Sequence, residues 1–287
     1  MVSNVEKTYQ ERILNVLIYI QNHLDDPLSL AKLAEIAHFS PYHFHHIFTV
    51  CTGESVKSYL RRLRLDRATR DLMFTSLSLT QISERAGYDT QQSFHRAFKE
   101  AYGATPNEFR ETKPESLLGD IKSMLLEKTQ SIVTIKKVEP IQVAFVRHIG
   151  DYSTILESWF VLANEVGVAH ISSDHTKKIS IPYDHAQLTS ADKLRYDACV
   201  SIDSLENFKP SGQIGVQMIH GGKYAAITHR GPLENIDMTY GALFGLWLPT
   251  SGYEPDDFPN FILHHNIPIN INQDAIISEI YLPIKKV

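Results

Sequence analysis

Four side chains near the front of the chain, Gln91, Gln92, His95 and Arg96, have the chemistry to read nucleic-acid bases. A glutamine amide matches the N6 and N7 edge of adenine, and a guanidinium matches the O6 and N7 edge of guanine. They sit in QQSFHRAF, where Phe94, Ala97 and Phe98 recur at helical spacing. One helix would therefore bury the apolar set and present the polar set. Tyr42, His45 and His46 stand in the same relation to Phe44, Ile47 and Phe48. A second group lies in the rear half: Tyr152, Trp159, Tyr183, Tyr240, Trp247, His264 and Glu279. Aromatic faces bind apolar and cationic molecules. Glu279, a carboxylate in an apolar stretch, needs a partner or a cationic ligand.

Other chemistries find little support. His43, His45 and His46 have no cysteine or carboxylate at zinc-ligand spacing, and His264 and His265 fall on opposite faces of a strand. Only two cysteines occur, Cys51 and Cys199. No nucleophile elbow or triad is in view. The expectation is no metal, no cofactor and no catalytic residue. A reduced, cytoplasmic setting is expected, without a membrane span.

The elements that must position the first group follow from capping signals. Leu79 to Ala86 reads as a helix, Gly87-Tyr88 as a turn, and Asp89 or Thr90 as the cap of the base-reading helix. The same unit occurs earlier: Leu30 to Phe39 matches Leu79 to Tyr88 at an offset of 49, and Phe44 to Phe48 matches Phe94 to Phe98 at an offset of 50. Each copy has the form of a helix-turn-helix. Between them, Ser55 to Phe74 is expected as one connecting helix carrying Arg61, Arg62, Arg64, Arg67 and Arg70. Arg61 and Arg62 are expected to meet phosphates, where cations release counterions from DNA. An opening helix over 5–24 and a short one after Thr105-Pro106 complete the front part.

Charge divides the chain. Residues 1–113 hold 14 Lys and Arg against 13 Asp and Glu; residues 114–287 hold 14 against 20, for a net charge of −5 overall. The acidic total belongs to the rear. Residues 113–130 are expected to be a linker, and from 131 the hydrophobic period shifts to two. VAFVRHIGDYSTILESWF aligns with YAAITHRGPLENIDMTYG at an offset of 81. The rear part is therefore expected to be two copies of a strand-strand-helix-strand-strand unit, with one continuous helix from Pro232 to Leu248 in the second.

SLAKLAEIAHFSPYHFHHIF, TGESVKSYLRRLRLDRATRDL and LTQISERAGYDTQQSFHRAFKEAYGATPNEFR together resemble the AraC/XylS-type DNA-binding domain over residues 5–112. The resemblance implies two helix-turn-helix units on one DNA face. His38 stands where that family usually has glycine, and His46 where it often has arginine. VAFVRHIGDY, RYDACVSI, GGKYAAITHRGP, LFGLWLPTSGYEP and ISEIYLPI resemble the GyrI-like, or BmrR-like, effector-binding domain over residues 131–287. That family often has Glu at the position of Ile262 and Tyr at that of His264. The domain order resembles the Rob-type architecture.

The fold class expected is an all-α double helix-turn-helix followed by an α+β duplicated domain. The function expected is a transcription regulator, an activator by the resemblance, controlled by a small hydrophobic or cationic effector. The resemblance implies double-stranded DNA and RNA polymerase as partners; a monomer or weak dimer is expected. The alternatives from other classes are a hydrolase of electrophilic toxins and a protein-interaction module.

Overall fold

The computed structural model describes residues 4–111, 133–186, 188–203, 212–266 and 275–287. The expected linker, residues 113–130, lies outside the described residues. The front part is helical: α1 Asn4–Asn22, α2 Leu30–Ile36, α3 Pro41–Thr52, α4 Val56–Phe74, α5 Leu79–Arg85, α6 Gln91–Tyr102 and α7 Pro106–Glu111. Side-chain oxygens of Ser29, Ser40, Ser55, Ser78 and Thr90 each accept a backbone N–H at the start of a helix. These caps satisfy donors that no preceding turn can reach. Gly53 and Gly103 end α3 and α6 in the left-handed conformation, which costs glycine no Cβ clash.

Helix α4 threads two separate apolar cores. Val56, Tyr59, Leu60 and Leu63 close the first around α1, α2 and α3. Leu65, Ala68 and Leu72 close the second around α5, α6 and α7. At 1.5 Å per residue the 19 residues of α4 reach about 28 Å. The helix therefore works as a strut between two lobes.

The rear part holds β1 Thr134–Val138, β2 Ile141–Ile149, α8 Ile155–Val166, α9 Val168–Ile171, β3 Lys178–Pro182, β4 Arg195–Ser201, β5 Ile214–Ile219, β6 Gly222–Arg230, α10 Ile236–Tyr240, β7 Tyr253–Pro255, β8 Phe261–His264 and β9 Ile277–Lys286. The short strand β7 was not expected from the sequence. The sheet order is β1-β6-β9-β8-β3-β4-β2-β5, with β7 beside β9, and every pairing is antiparallel. This order is a palindrome of the duplication, centred between β8 and β3.

The first strands are exchanged. β1 pairs with β6 of the second copy, and β5 pairs with β2 of the first. The expected duplicated strand-strand-helix-strand-strand unit is present, with its leading strands traded between the copies. The strands run on through short links instead of turning back as hairpins: β1–β2 and β5–β6 keep one antiparallel register across both pairings. Only Glu139-Pro140 joins β1 to β2, and only His220-Gly221 joins β5 to β6. Each link carries the chain across to the other copy, and they pass so closely that a Cβ on Gly221 would lie 2.7 Å from Pro140 Cδ.

Helices α8 and α10 cover one face of the sheet, with Leu162 over Ala144, Val146 and Ala198, and Leu243 over Ala225, Ile227 and Ile280. The stretch expected as one helix, Pro232 to Leu248, is broken: 3₁₀ at Leu233–Asn235, α at Ile236–Tyr240, π at Gly241–Trp247 and 3₁₀ at Leu248–Thr250. Ala242, Leu243, Leu246 and Trp247 of the π stretch all reach the interior. The other face packs Phe145, Tyr224, Phe261 and Tyr281 together, with Leu14 of α1 inserted among them.

Candidate nucleic-acid interface and ligand seam

Both helices that carry the base-reading candidates turn their apolar stripe inward. Phe44, Ile47 and Phe48 of α3 are buried, as are Phe94, Ala97 and Phe98 of α6. Tyr42 is 89% exposed, and His45 and His46 lie beside it on the outer face of α3. On α6, Gln91, Gln92 and Arg96 are exposed and His95 is half-buried. Gln91 hydrogen-bonds Thr80 of α5 at 2.6 Å. Arg96 makes no ion pair with any described residue, so its guanidinium is available.

The arginines of α4 behave otherwise. Arg62 lies inside, bonded to Glu54 at 2.7 Å and near Asp66 at 3.6 Å. Arg64 donates to the carbonyls of Leu24 and Asp26, and Arg67 to that of Arg85 and to Asp25. Arg70 lies near Asp71 and Asp257. Arg61 reaches Glu100 of α6 at 2.6 Å and keeps partial exposure. The run is therefore no continuous presented stripe. It stitches the two lobes through groups that a multidentate guanidinium satisfies well.

The rear aromatics divide into two sets. Tyr152, Trp159, Tyr240 and His264 meet on the helix-covered face, along the seam between the two copies. There Trp159 Nε1 donates to Tyr196 Oη at 3.0 Å. Tyr196 Oη bonds Ser180 Oγ, which bonds His264 Nε2 at 2.6 Å. His264 Nδ1 bonds Ser278 Oγ at 2.9 Å, completing a chain across β4, β3, β8 and β9. The rings of Trp159 and His264 lie edge to face at 6.1 Å, as do those of Tyr152 and Tyr196. Tyr240 caps the far side through Asn260.

All these groups are uncharged. Burial, aided by the nearby His265 and His229, pulls His264 down to about 3, and burial pushes Tyr196 up to about 12. Burial also raises Tyr152 and Tyr240. Leu156 and Phe160 stay exposed on α8.

Tyr183 and Glu279 lie on the opposite face. Asp197 is fully buried and receives Arg147 Nε and Nη2, Tyr183 Oη and Gln217 Nε2. Gln21 of α1 closes this cluster, accepting from Arg147 and donating to Tyr183. Glu279 occupies the equivalent place in the second copy. Burial alone would raise its pKa, yet bonds from Lys136 and Tyr281 hold it below the usual carboxylate value. Trp247 stacks on Tyr253 away from the seam. The seven candidates thus form no single pocket; four share the seam and three do not.

Tyr196, Ser180 and Ser278 were missed in the sequence, as were Arg147, Asp197 and Gln21. Asp197 carried the same signal as Glu279, a lone carboxylate in an apolar strand. The serines carried none. Among the described residues no His, Cys, Asp and Glu group could hold a metal ion. No described helix is long and apolar enough to cross a membrane.

Comparison with known proteins adds two matches. Residues 132–285 match the GyrI-like small molecule binding domain, and residues 33–112 match a helix-turn-helix domain. The transcriptional regulator Rob of Salmonella typhimurium is 35% identical over 107 residues, 37% of this chain and 37% of its own length. The chain therefore spans little more than a third of that relative. The Transposon Tn10 TetD protein of Escherichia coli is 32% identical over 117 residues, 39% of this chain and 85% of its own. The EcmrR C-terminal domain overlies 54% of this chain and 98% of its own, at 19% identity and a TM-score of 0.46.

Proposed function

Because this chain belongs to the GyrI-like small-molecule-binding family and carries an AraC-type helix-turn-helix domain ahead of it, we propose that it is an effector-controlled transcription regulator. Its front part binds a specific double-stranded operator in the cytoplasm. Its rear part binds a small, mostly apolar molecule in the seam between the two copies. On the family resemblance it acts as an activator that contacts RNA polymerase.

The observation that carries this reading is the exposure of two repeated polar sets on α3 and α6, each backed by its own buried phenylalanines. A helix held so, with amides and a free guanidinium outward, suits a major groove. We assign base contact to Gln91, Gln92 and Arg96, and weaker contact to Tyr42, His45, His46 and His95. Arg61 serves phosphate. Arg62 is assigned to the lobe interior, because its partners enclose it.

The test is selection of bound duplexes from a random pool by the full chain, then mobility-shift titration on the winning site. An enriched motif whose preference collapses in Arg96→Ala is the expected result; a pool without enrichment would sink the reading. For the seam, Trp159 offers a fluorescence reporter. Quenching by an apolar aromatic probe such as 2-naphthol is expected to vanish in Tyr240→Ala and to persist in Glu279→Gln, which changes the opposite face. Quenching lost in Glu279→Gln alone would move the ligand to that other face.

A further inference from the structure

The two halves of the sheet each hold one helix-turn-helix lobe. On the side of β3-β4-β2-β5, Leu14 of α1 packs with Phe145 and lies 3.1 Å from where a Cβ on Gly215 would sit. Gln21 of the same helix bonds Arg147 and Tyr183. On the side of β1-β6-β9-β8, Phe74 at the end of α4 packs with Phe244 at 5.1 Å. Ser76 donates to Glu254, and Arg85 of α5 reaches Asp257 at 2.5 Å. The polar grip of the first lobe therefore falls on one half and that of the second lobe on the other, while Leu14 also joins the apolar cluster common to both.

The halves meet at two places, the paired two-residue links from β1 to β2 and from β5 to β6 and the β3–β8 junction, with the apolar cluster of Phe145, Tyr224, Phe261 and Tyr281 running across both. Across the seam β3 and β8 share three register pairs, whereas β2–β4 and β6–β9 share seven each. The side-chain bridge over that junction is the Ser180 to His264 bond, fed by Tyr196 and Ser278. The two lobes are joined by α4 together with polar contacts. Their apolar cores are separate. Polar contacts such as Arg67–Asp25 and Arg61–Glu100 supplement α4.

We propose that the rear domain is a hinge with one helix-turn-helix unit on each leaf, so that a molecule wedged in the seam resets the separation of α3 and α6. This rests on the seam being the ligand site proposed above. The seam lies at the hinge line; the first leaf transmits its rotation from the opposite face, through Asp197, Arg147 and Gln21, and the second through Phe244, whose ring lies 6.1 Å from that of Tyr240 in the seam, and through Glu254 and Asp257. On β4 the two roles alternate residue by residue: Tyr196 faces the seam, and Asp197 faces the cluster that grips α1. A rotation of a few degrees, multiplied over the reach of α4, shifts the recognition helices by an amount that matters for entering adjacent grooves.

The experiment needs neither the natural ligand nor DNA. Cys51, exposed at the end of α3, accepts a spin label, while Cys199 is buried. Lys99→Cys on exposed α6 supplies the second label. Pulsed dipolar spectroscopy on the full chain then reads the α3–α6 distance. Opening the seam bridge with Ser180→Ala, or more gently with Tyr196→Phe, is expected to broaden the distribution or move its mean by about 2 Å or more. Gln21→Ala and Arg85→Ala are expected to broaden it by releasing one leaf each. A distribution unchanged in Tyr196→Phe, in a protein that still melts cooperatively, overturns the hinge. So does a change in seam variants that persists after both grips are cut with Gln21→Ala and Arg85→Ala, since motion would then bypass the leaves. Loss of operator binding in the unlabelled chain would instead strike the regulator reading and leave the distance result standing.

Discussion

At His38 the chain accepts a strain that its counterpart avoids. His38 has φ 54, the only positive φ at a non-glycine among the described residues, and Gly87 holds the same turn of the second unit at φ 79. A left-handed residue with a Cβ costs about 1–2 kcal/mol, partly offset by the greater freedom that glycine has when unfolded. His38→Gly should therefore stabilise the first lobe by up to about 1 kcal/mol, read as a higher urea midpoint. The reverse exchange, Gly87→His, should destabilise: beside the left-handed φ, a Cβ there meets Arg64 Nη1 at 2.7 Å. Arg96 sets a different test. Its loss should lower specific affinity by about 1–3 kcal/mol and relax one base position, without unfolding anything.

His264 gives the molecule an acid-sensitive core. Its folded pKa, near 3, lies below the usual value of 6.5 because burial disfavours the imidazolium. Between those values the unfolded chain binds the proton and the folded chain does not, so stability is full above about pH 6.5 and falls as acid is added. At pH 5 the loss from this residue should be about 2 kcal/mol. Urea titrations at pH 7 and pH 5 should show that drop in the native chain and a smaller one in His264→Gln. The sequence displayed His264 as a pocket candidate, but its serine partners come from strands 84 and 14 residues away. Local pattern cannot show such convergence.

Among the elements, α4 separates what a pattern can tell from what it cannot. The cap at Ser55, the end at Phe74 and the apolar stripe were all written in the sequence, because they are local. The destination of its arginines was not, because Glu54, Leu24, Asp25 and Asp257 reach them only through the tertiary fold. Arg62→Ala should consequently lower stability, with Glu54 and Asp66 left facing one another, while leaving the salt dependence of DNA affinity unchanged. Arg61→Ala should reduce that slope by about one ion. In the sheet, strand alternation located the strands but not their neighbours. Hydrophobic period is blind to which copy a strand joins, so the exchange of β1 and β5 was invisible. Likewise α and π turns bury similar residues, so Gly241–Trp247 read as ordinary helix.

On the scale of the whole molecule, the decisive contact is α1 against the sheet. Arg147 and Asp197 are both buried and bonded twice. Asp197→Asn would leave a guanidinium inside without its charge partner, a change expected to cost about 3–5 kcal/mol. Because Gln21 depends on that guanidinium, the same change should also loosen α1, read as faster amide exchange over residues 8–22. If exchange quickened only within the sheet, the two domains would be energetically independent. The duplication was legible in the offset of 81, and it extends to single bonds: His148 Nε2 donates to the Asp151 carbonyl as His229 Nε2 does to that of Pro232. The docking of one domain on the other was not legible, since Leu14 and Gln21 fit an ordinary amphipathic helix equally well.

The traded leading strands make the rear domain indivisible. A polypeptide stopped at Asp203 would keep β1 with no edge to lie on and leave β2 with an open flank, inviting aggregation. Two such halves produced together should instead clasp one another into the complete sheet. By the same reasoning, a lone copy of the repeat can satisfy its backbone only by embracing a twin.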